Sequence, residues 1–512
     1  MANAQNEIKR LFGRTVLYAS PPETVDADSV ALILNNVMDD HRKNSNDINY
    51  LRNFYRGNQS ILDREKDIRE DILNIVVENR AHEIVEFKKG YEFAHPNQYV
   101  NIGTQESAPI EVLNRHARVD GKHAKDAILA EWFYICGTAY RICLPNQLET
   151  VDTAPYFTDV LDPADTFIVY SNEVGKRPLL AGTVVLKKTF DDKGEEEEQY
   201  VYTVYTETNR FVWVLDSDDG DFAETAPETE SNPLSMIPIT EYPLNDSRIG
   251  YVELCLTLFN AINTIGSNRV DGIEQFIQAL LVFINCELPI EVDSEGKPVI
   301  ENGQPKKAIP KSGDAIVIKS NGAAQADVKY LAEQLDQEHA QLTKEDFLNA
   351  IYEICGVPSR KDRAGGGDTG QAVVLRDGWG AAEARAKSTE TMFTKSEMEY
   401  LKIVLHICRH STAATDSIGD LTLGDISMCF TRNRADNMLT KAQTLQVLSS
   451  IGIHPEISME TSQLFSDPVA AWAKSKEWQD SSAQWIDNKL AIARKLAGDE
   501  MPEENAAPQE QM

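Results

Sequence analysis

Helical and extended patterns occupy separate long blocks of this sequence, and that segregation predicts an α+β fold. Three observations carry the prediction. Residues 156–216 are a succession of Val-, Tyr-, Thr- and Phe-rich runs parted by polar turns, the pattern of an antiparallel sheet. Apolar residues recur at helical spacing over 247–285, 342–354 and 369–410. Between the first two of these stretches, residues 287–330 switch to short β-like pieces rich in Gly and Pro, a small module inserted between two long helices.

In chain order, residues 1–60 read as largely helical and polar. NFYRGNQ (53–59) marks a helix end and a turn at Gly57. Ile75, Val76, Ile84, Val85 and Phe87 predict a helix within Asn74–Glu92, with an extended piece after Gly90. AKDAILAEWFYICGTAYRIC (124–143) reads as a buried helix, a glycine break at Gly137 and a strand. The sheet strands are placed at Phe167–Tyr170, Leu179–Phe190, Tyr200–Thr206 and Phe211–Leu215, with Glu195–Glu198 at an exposed hairpin tip. DSDDGD (216–221) has its glycine one place too early for an EF-hand loop and reads as a solvated acidic turn. Residues 227–245, punctuated by proline, read as a linker.

Val270, Ile273, Ile277, Leu280 and Ile284 follow a 3-4-3-4 spacing, a narrow seam for a neighbouring helix. A helix continuous from Tyr251 to Asn285 would span roughly 50 Å, with Gly266 and Ser267 as candidate kink points. Lys306, Lys307 and Lys311 are a basic cluster of the inserted module, either a docking point or a solvated patch. Within 369–410, Gly378 and Gly380 are expected kinks, and Met398, Leu401, Leu405 and Cys408 form a seam. His406 and His410 have a chelating spacing but no third ligand or HExxH, so no metal site is expected. Residues 431–495 read as a small helical domain, with starts at Asp436 or Asn437, at Ser458 and at Ser466-Asp467-Pro468, and a stop near Gly452. The acidic tail 498–512 is expected to be disordered.

The chemistry concentrates in CGVPSRKDRAGGGDTGQ (355–371). Leu342, Phe347, Ile351 and Ile354 lead a helix into it, and Gly356 and Pro358 stop that helix. Arg360, Lys361 and Arg363 follow, then Gly365, Gly366 and Gly367, which leave the backbone free to bend. Asp368 and Gln371 have the spacing of a capping box for the next helix. A nucleotide-binding loop would need GxxxxGK[ST], and Gln371 follows Gly370 instead. A dinucleotide fingerprint would need a preceding strand, which is absent from the pattern. Two readings stay open: a plain flexible connector, or a basic loop that touches DNA in passing.

Composition narrows the classes. The chain has 512 residues, 42% hydrophobic and 26% charged, enough for a sizeable core and roughly three domains. A formal net charge of −31 argues against a protein that grips nucleic acid and permits one that DNA passes through. The N-terminal MANAQNEIKRLFGR lacks a signal-peptide core, and no run approaches the roughly 18 apolar residues of a membrane span. Seven scattered cysteines without a CxxC pair predict a reduced, cytosolic chain with neither a disulfide framework nor a zinc site. There is no GxSxG elbow, Cys/His signature or kinase set, so no catalytic residues and no cofactor are expected.

The order of YRGNQSI (55–61), AEWFYICGTAY (130–140), IPITEYPLNDSRIGYVE (237–253), INTIGSNRVDGIEQF (262–276), CGVPSRKDRAGGGDTG (355–370) and NMLTKAQTLQVLSSIGI (437–453) resembles the portal proteins of tailed double-stranded DNA bacteriophages. The resemblance is to the branch common in siphophages of Gram-positive hosts. It implies a non-enzymatic virion protein that forms a ring, twelve subunits in the capsid, around a DNA-conducting channel. It also implies a wing at 1–245, stem helices at 246–286 and 336–357, a clip at 287–335 and a tunnel loop at 358–371. A kinked tunnel helix and wing return would follow at 372–430, then a crown at 431–495. The implied partners are the terminase large subunit, head-completion or adaptor proteins, major capsid and scaffolding proteins and passing double-stranded DNA, with no membrane. The implied location is the capsid vertex, and the host cytoplasm during assembly. Another virion connector without a conducting channel, or an acidic enzyme, are the alternatives.

Overall fold

The computed structural model describes residues 11–66, 70–102, 108–146, 153–190, 196–277, 280–284, 286–287, 290, 297–301, 303–306, 319–320, 327–331, 337–358, 378–411, 418–432, 438–462, 464–465, 468 and 471–482. Two compact units emerge: one from 53–82 and 255–378 (with 1–10), the other from 11–52, 83–254 and 379–512. The protein is α+β, as its segregated patterns predict.

The second unit is built on two sheets and a helical layer. Its largest sheet has the order β1-β5-β6-β7-β8-β9, with β1 (Leu17–Ala19), β5 (Thr166–Ser171), β6 (Pro178–Phe190), β7 (Glu196–Tyr205), β8 (Asn209–Leu215) and β9 (Glu228–Ser231). β1 lies parallel to β5, and the other neighbours are antiparallel. The long helix α1 (Ala27–Tyr55) lays Val30, Leu34, Val37 and Met38 on this sheet, against Phe167, Val169, Tyr202, Phe211 and Trp213. Those alternate strand positions and the i, i+4 helix positions are the two periodicities that generate one shared apolar face. The acidic loop after β8 is a turn, as expected: Asp218 Oδ1 accepts the Tyr202 hydroxyl at 2.7 Å, and Asp218 Oδ2 lies 3.2 Å from Arg42 Nε.

A smaller sheet has the order β10-β3-β4, from β3 (Thr138–Pro145), β4 (Tyr156–Leu161) and β10 (Ile239–Pro243). The expected linker at 227–245 is therefore two strands. Its proline punctuation misled because Pro238 and Pro243 flank or end a buried strand, where a missing amide is tolerated. Helices α2 (Arg80–Glu92), α3 (Ala108–Val119) and α4 (Lys122–Cys136) belong largely to this layer, with β2 (Gln98–Asn101) and β17 (Ile426–Cys429) paired antiparallel. The expected order of helix then extended piece holds, as α2 is followed by β2, but the helix starts only at Arg80, residues 72–79 carry no regular structure, and Gly90 lies inside α2.

The first unit contains α6 (Leu256–Ile277) and α7 (Gln337–Cys355), preceded in the chain by the single turn α5 (Tyr251–Leu254). One continuous helix to Asn285 is not what forms. Leu280 and Ile284 belong to β11 (Leu280–Ile284), paired antiparallel with β16 (Asp327–Leu331). The β-branched and aromatic run LLVFI favours a strand, and the 3-4 spacing ends with α6. β12 (Cys286–Glu287) pairs with β15 (Lys319–Ser320), and β13 (Ile300–Glu301) with β14 (Gln304–Pro305), as the β-like pattern of 287–330 predicts. Gly266 and Ser267 sit inside an unbroken α6.

Helix α8 (Trp379–His410) returns to the second unit and packs along β10 and β3. Gly378 precedes it with φ +88°, and the helix runs on without a break through Gly380. Leu401, Leu405 and Cys408 are buried, so the seam predicted at 398–408 serves the core of its own unit. Helices α9 (Met438–Ser450) and α10 (Pro455–Ser462) follow, with a further helix at 471–482. Gly452, with φ +84°, closes α9 as expected, whereas Ser458 is buried inside α10, whose first residue is Pro455. Among the described residues no helix is long and apolar enough to cross a membrane.

Candidate functional site

The expected DNA loop is framed on its N-terminal side within the first unit. Ile351 and Cys355 are fully buried on α7, which anchors the last turn before the loop. Gly356 takes φ +64°, and the Val357 amide donates back to the Tyr352 carbonyl at 2.8 Å, a left-handed C-cap that turns the chain out of the helix. Arg360, Lys361, Arg363, Gly365, Gly366 and Gly367 lie outside the described residues. So do Lys307 and Lys311, while Lys306 is exposed and its amide donates to the Val299 carbonyl at 2.7 Å.

What holds α6 is a polar clamp. Asn263, Ser267 and Asp271 stand four residues apart on one face, all nearly inaccessible. Beside them runs the extended segment 74–78. The Glu78 amide donates to Asn263 Oδ1 (2.9 Å), the Val76 amide to Ser267 Oγ (3.0 Å) and the Asn74 amide to Asp271 Oδ1 (2.8 Å). Four helical residues rise about 6 Å and two extended residues about 6.6 Å, so the two periods match over three rungs. Burial opposes ionisation of Asp271, but Lys66, Asn74 and Arg64 outweigh it and hold its carboxyl below the ordinary range. Gln59 donates to the Phe54 carbonyl and to Asn79 Oδ1, and accepts from Asn263, so YRGNQSI closes onto INTIGSNRVDG.

A second interlock lies within the other unit, where two glycines let backbone meet backbone. Gly137 has φ +87°, and a Cβ there would overlap the Arg248 carbonyl oxygen; a Cβ on Gly13 would overlap that of Ser247. The connector 245–250 is thus seated against the end of α4. Arg248 then reaches back to Glu241 on β10 (Nε–Oε1 2.7 Å, Nη2–Oε2 2.9 Å), a bidentate pair. Thr138 and Tyr170 also donate to Glu241, and although burial resists, Arg248 holds this carboxyl below its usual range. Tyr18, Lys176, Arg177, Lys395 and Glu399 line an adjoining open cleft of about 1050 Å³.

The deepest charges of the unit join five elements. Arg141 on β3 donates to Asp126 on α4, to Glu397 on α8 (3.3 Å) and to the Tyr242 hydroxyl on β10 (3.3 Å). Lys122 meets Asp126 at 2.7 Å and Glu397 at 2.9 Å, and Tyr99 on β2 donates to Glu397 at 2.5 Å. Asp126, Glu397, Tyr242 and Tyr99 are all essentially inaccessible. Burial alone would raise the Asp126 carboxyl, yet Lys122 and Arg141 together keep it low. The arrangement is held by its own ion pairs, with Tyr400 and Tyr242 rings within 5.1 Å of the Arg141 guanidinium, and is suited to fastening elements rather than to proton transfer.

The His406 and His410 rings lie 4.4 Å apart, tilted by 37°, but His410 Nδ1 is engaged with the His406 carbonyl at 2.8 Å. Among the described residues no group of three metal ligands forms. Sequence reasoning named neither the clamp nor the buried network. Their signals were present: Asn263, Ser267 and Asp271 at every fourth position of one helix, and a lone Arg141 within a buried strand run.

The sequence model for the family described as "Phage portal protein, SPP1 Gp6-like" matches residues 34–484. No curated protein matches the chain. Solved structures with some likeness include a chain from the neck of an empty GTA particle computed with C6 symmetry, at 11% identity and a TM-score of 0.41, covering 75% of this chain and 90% of that one. A chain from a virion of a native gene transfer agent particle gives 11% and 0.38, covering 75% and 89%. A chain from the neck of a native GTA particle computed with C12 symmetry gives 11% and 0.37, covering 76% and 91%.

Proposed function

The chain belongs to the phage portal protein family of the SPP1 Gp6-like type, and from that membership we propose how this portal subunit of the capsid vertex works. Twelve copies close into a ring around a channel through which double-stranded DNA is packaged and later ejected. Residues 1–245 form the wing, 246–286 and 336–357 the stem, 287–335 the clip, 358–371 the tunnel loop, 372–430 the tunnel helix and wing return, and 431–495 the crown. The clip receives the terminase large subunit and then head-completion proteins, with Lys306, Lys307 and Lys311 at the docking surface. Capsid and scaffolding proteins surround the ring, which assembles in the host cytoplasm.

The observation that carries this reading is the family match across residues 34–484. Several features support its details. α6 and α7 are antiparallel partners, since Arg269 near the end of α6 donates to Gln337 and Gln341 at the start of α7, as two stem helices require. Short antiparallel strand pairs occupy the stretch between them. A net charge of −31 repels a polyanion, so DNA slides instead of binding. Arg360, Lys361 and Arg363, carried on Gly365, Gly366 and Gly367, supply brief phosphate contacts at the constriction. The subunit itself turns over no nucleotide, and the work of packaging comes from a separate ATPase.

Electron microscopy of the purified chain, with particle mass, tests the reading. Closed rings with an open centre are the expected result. Monodisperse monomers at micromolar concentration, even after co-expression with capsid and scaffolding proteins, would overturn it.

A further inference from the structure

Cys255 and Cys355 are 100 residues apart in sequence, and their sulfurs lie 3.6 Å from one another. Cys255 directly precedes the first residue of α6, and Cys355 is the last residue of α7. Both are completely buried within the first unit. Arg269 fixes the opposite end of the same helix pair through Gln337, at 3.0 Å. The thiols therefore face each other at the base of an antiparallel hairpin whose far end leads into the short β-pairs. A disulfide would need the sulfurs to close by only about 1.6 Å, to the roughly 2.05 Å bond length.

We infer that Cys255 and Cys355 form an intramolecular disulfide when the protein meets a hydroperoxide, so that the two helices become covalently tied. One thiolate attacks a peroxide oxygen, breaking the O–O bond and giving a sulfenic acid and hydroxide. The second thiolate attacks that sulfur and expels a second hydroxide. The two thiol protons leave with the hydroxides as water, so two thiols and one hydrogen peroxide yield one disulfide and two waters. Hydrogen peroxide is close to water in size, and local opening of the helix ends suffices to admit it. Reducing cytosol keeps the pair as thiols, and an oxidising exterior favours the bond. Because the bond would close a loop of 100 residues, it would restrict the unfolded chain strongly and raise the unfolding temperature. The inference stands on helix geometry alone and does not depend on the portal reading.

The test treats the purified full-length chain with hydrogen peroxide, then blocks remaining thiols with iodoacetamide under denaturing conditions. Peptide mapping without reductant should find Cys255 and Cys355 joined, with a mass two hydrogens lower and neither thiol alkylated. Reductant should restore both thiols. The oxidised chain should also melt at a higher temperature than the reduced one, and Cys355→Ser should abolish that difference. Alkylation of both residues after peroxide treatment, or a dominant bond from Cys255 to another cysteine, would overturn the inference. The mapping on the unsubstituted chain is decisive even if the serine variant fails to fold.

Discussion

Replacing Arg141 by Met should weaken the second unit sharply. The substitution keeps most of the apolar volume but removes the guanidinium that Asp126, Glu397 and Tyr242 share. Lys122 would then be the remaining cation for two buried carboxylates. Breaking one side of a buried ion pair typically costs about 3–5 kcal/mol. The unit spans roughly 350 residues, so its unfolding entropy is about 0.7 kcal/mol/K. The melting temperature of that transition should fall by about 4–7 °C, read by differential scanning calorimetry. Adding Glu397→Gln restores the charge balance of one carboxylate with one ammonium. The double variant should therefore melt higher than the sum of the two single losses predicts, by the equivalent of more than about 1 kcal/mol. A shift within about 1 °C for Arg141→Met, or strict additivity in the double variant, would refute the argument that these charges fasten the unit as one network.

Three other outcomes are expected. Gly137→Ala places a Cβ in a left-handed backbone and onto the Arg248 carbonyl, so it should cost at least about 2 kcal/mol and appear as a lowered melting temperature or insoluble expression. Burial lowers the His41 pKa to about 4, whereas in the unfolded chain it is about 6.5. The unfolded state therefore binds a proton that the native state refuses in that window, and stability should fall by about 3 kcal/mol as pH drops from 6.5 to 4. Denaturant titrations should show the slope, and His41→Gln should flatten it. Changing Arg360, Lys361 and Arg363 together to Glu should leave ring assembly intact but slow DNA packaging, least at high salt, where screening shortens the reach of the added charge. A normal packaging rate at low salt would leave the loop as a plain connector.

Much of the fold was legible because burial writes periodicity into sequence. β5–β8 are rich in Val, Tyr, Thr and Phe, with β8 alternating buried and more open positions, and the helix–glycine–strand pattern at Gly137 ended where the structure ends it. The errors share a cause: local pattern cannot say what lies across the gap. Pro243 looked like linker chemistry until β10 was seen paired with β3. Leu280 and Ile284 extended a helical rhythm until β16 claimed them as a strand. β1, three residues long, carries no detectable period and exists because β5 offers it an edge. The candidate site divides the same way. Gly356 and the helix leading to it were readable, whereas Arg141, Asp126 and Glu397 come together from positions 15 and 256 apart in sequence, beyond any local signal.

The clamp on α6 has the character of a vernier. Advancing a helix by four residues and a strand by two brings nearly the same geometry back, so a rack built from identical teeth would engage equally well one notch off. Here the teeth differ. Asn263 offers an amide that also engages Gln59, Ser267 a neutral hydroxyl that accepts from the Val76 amide, and Asp271 a carboxylate paired with Lys66 and Arg64. A shift by one notch would set the carboxylate against a neutral partner and leave two cations facing a hydroxyl. Chemical unlikeness along an evenly spaced row thus fixes where the helix stops sliding, a setting that spacing alone leaves ambiguous.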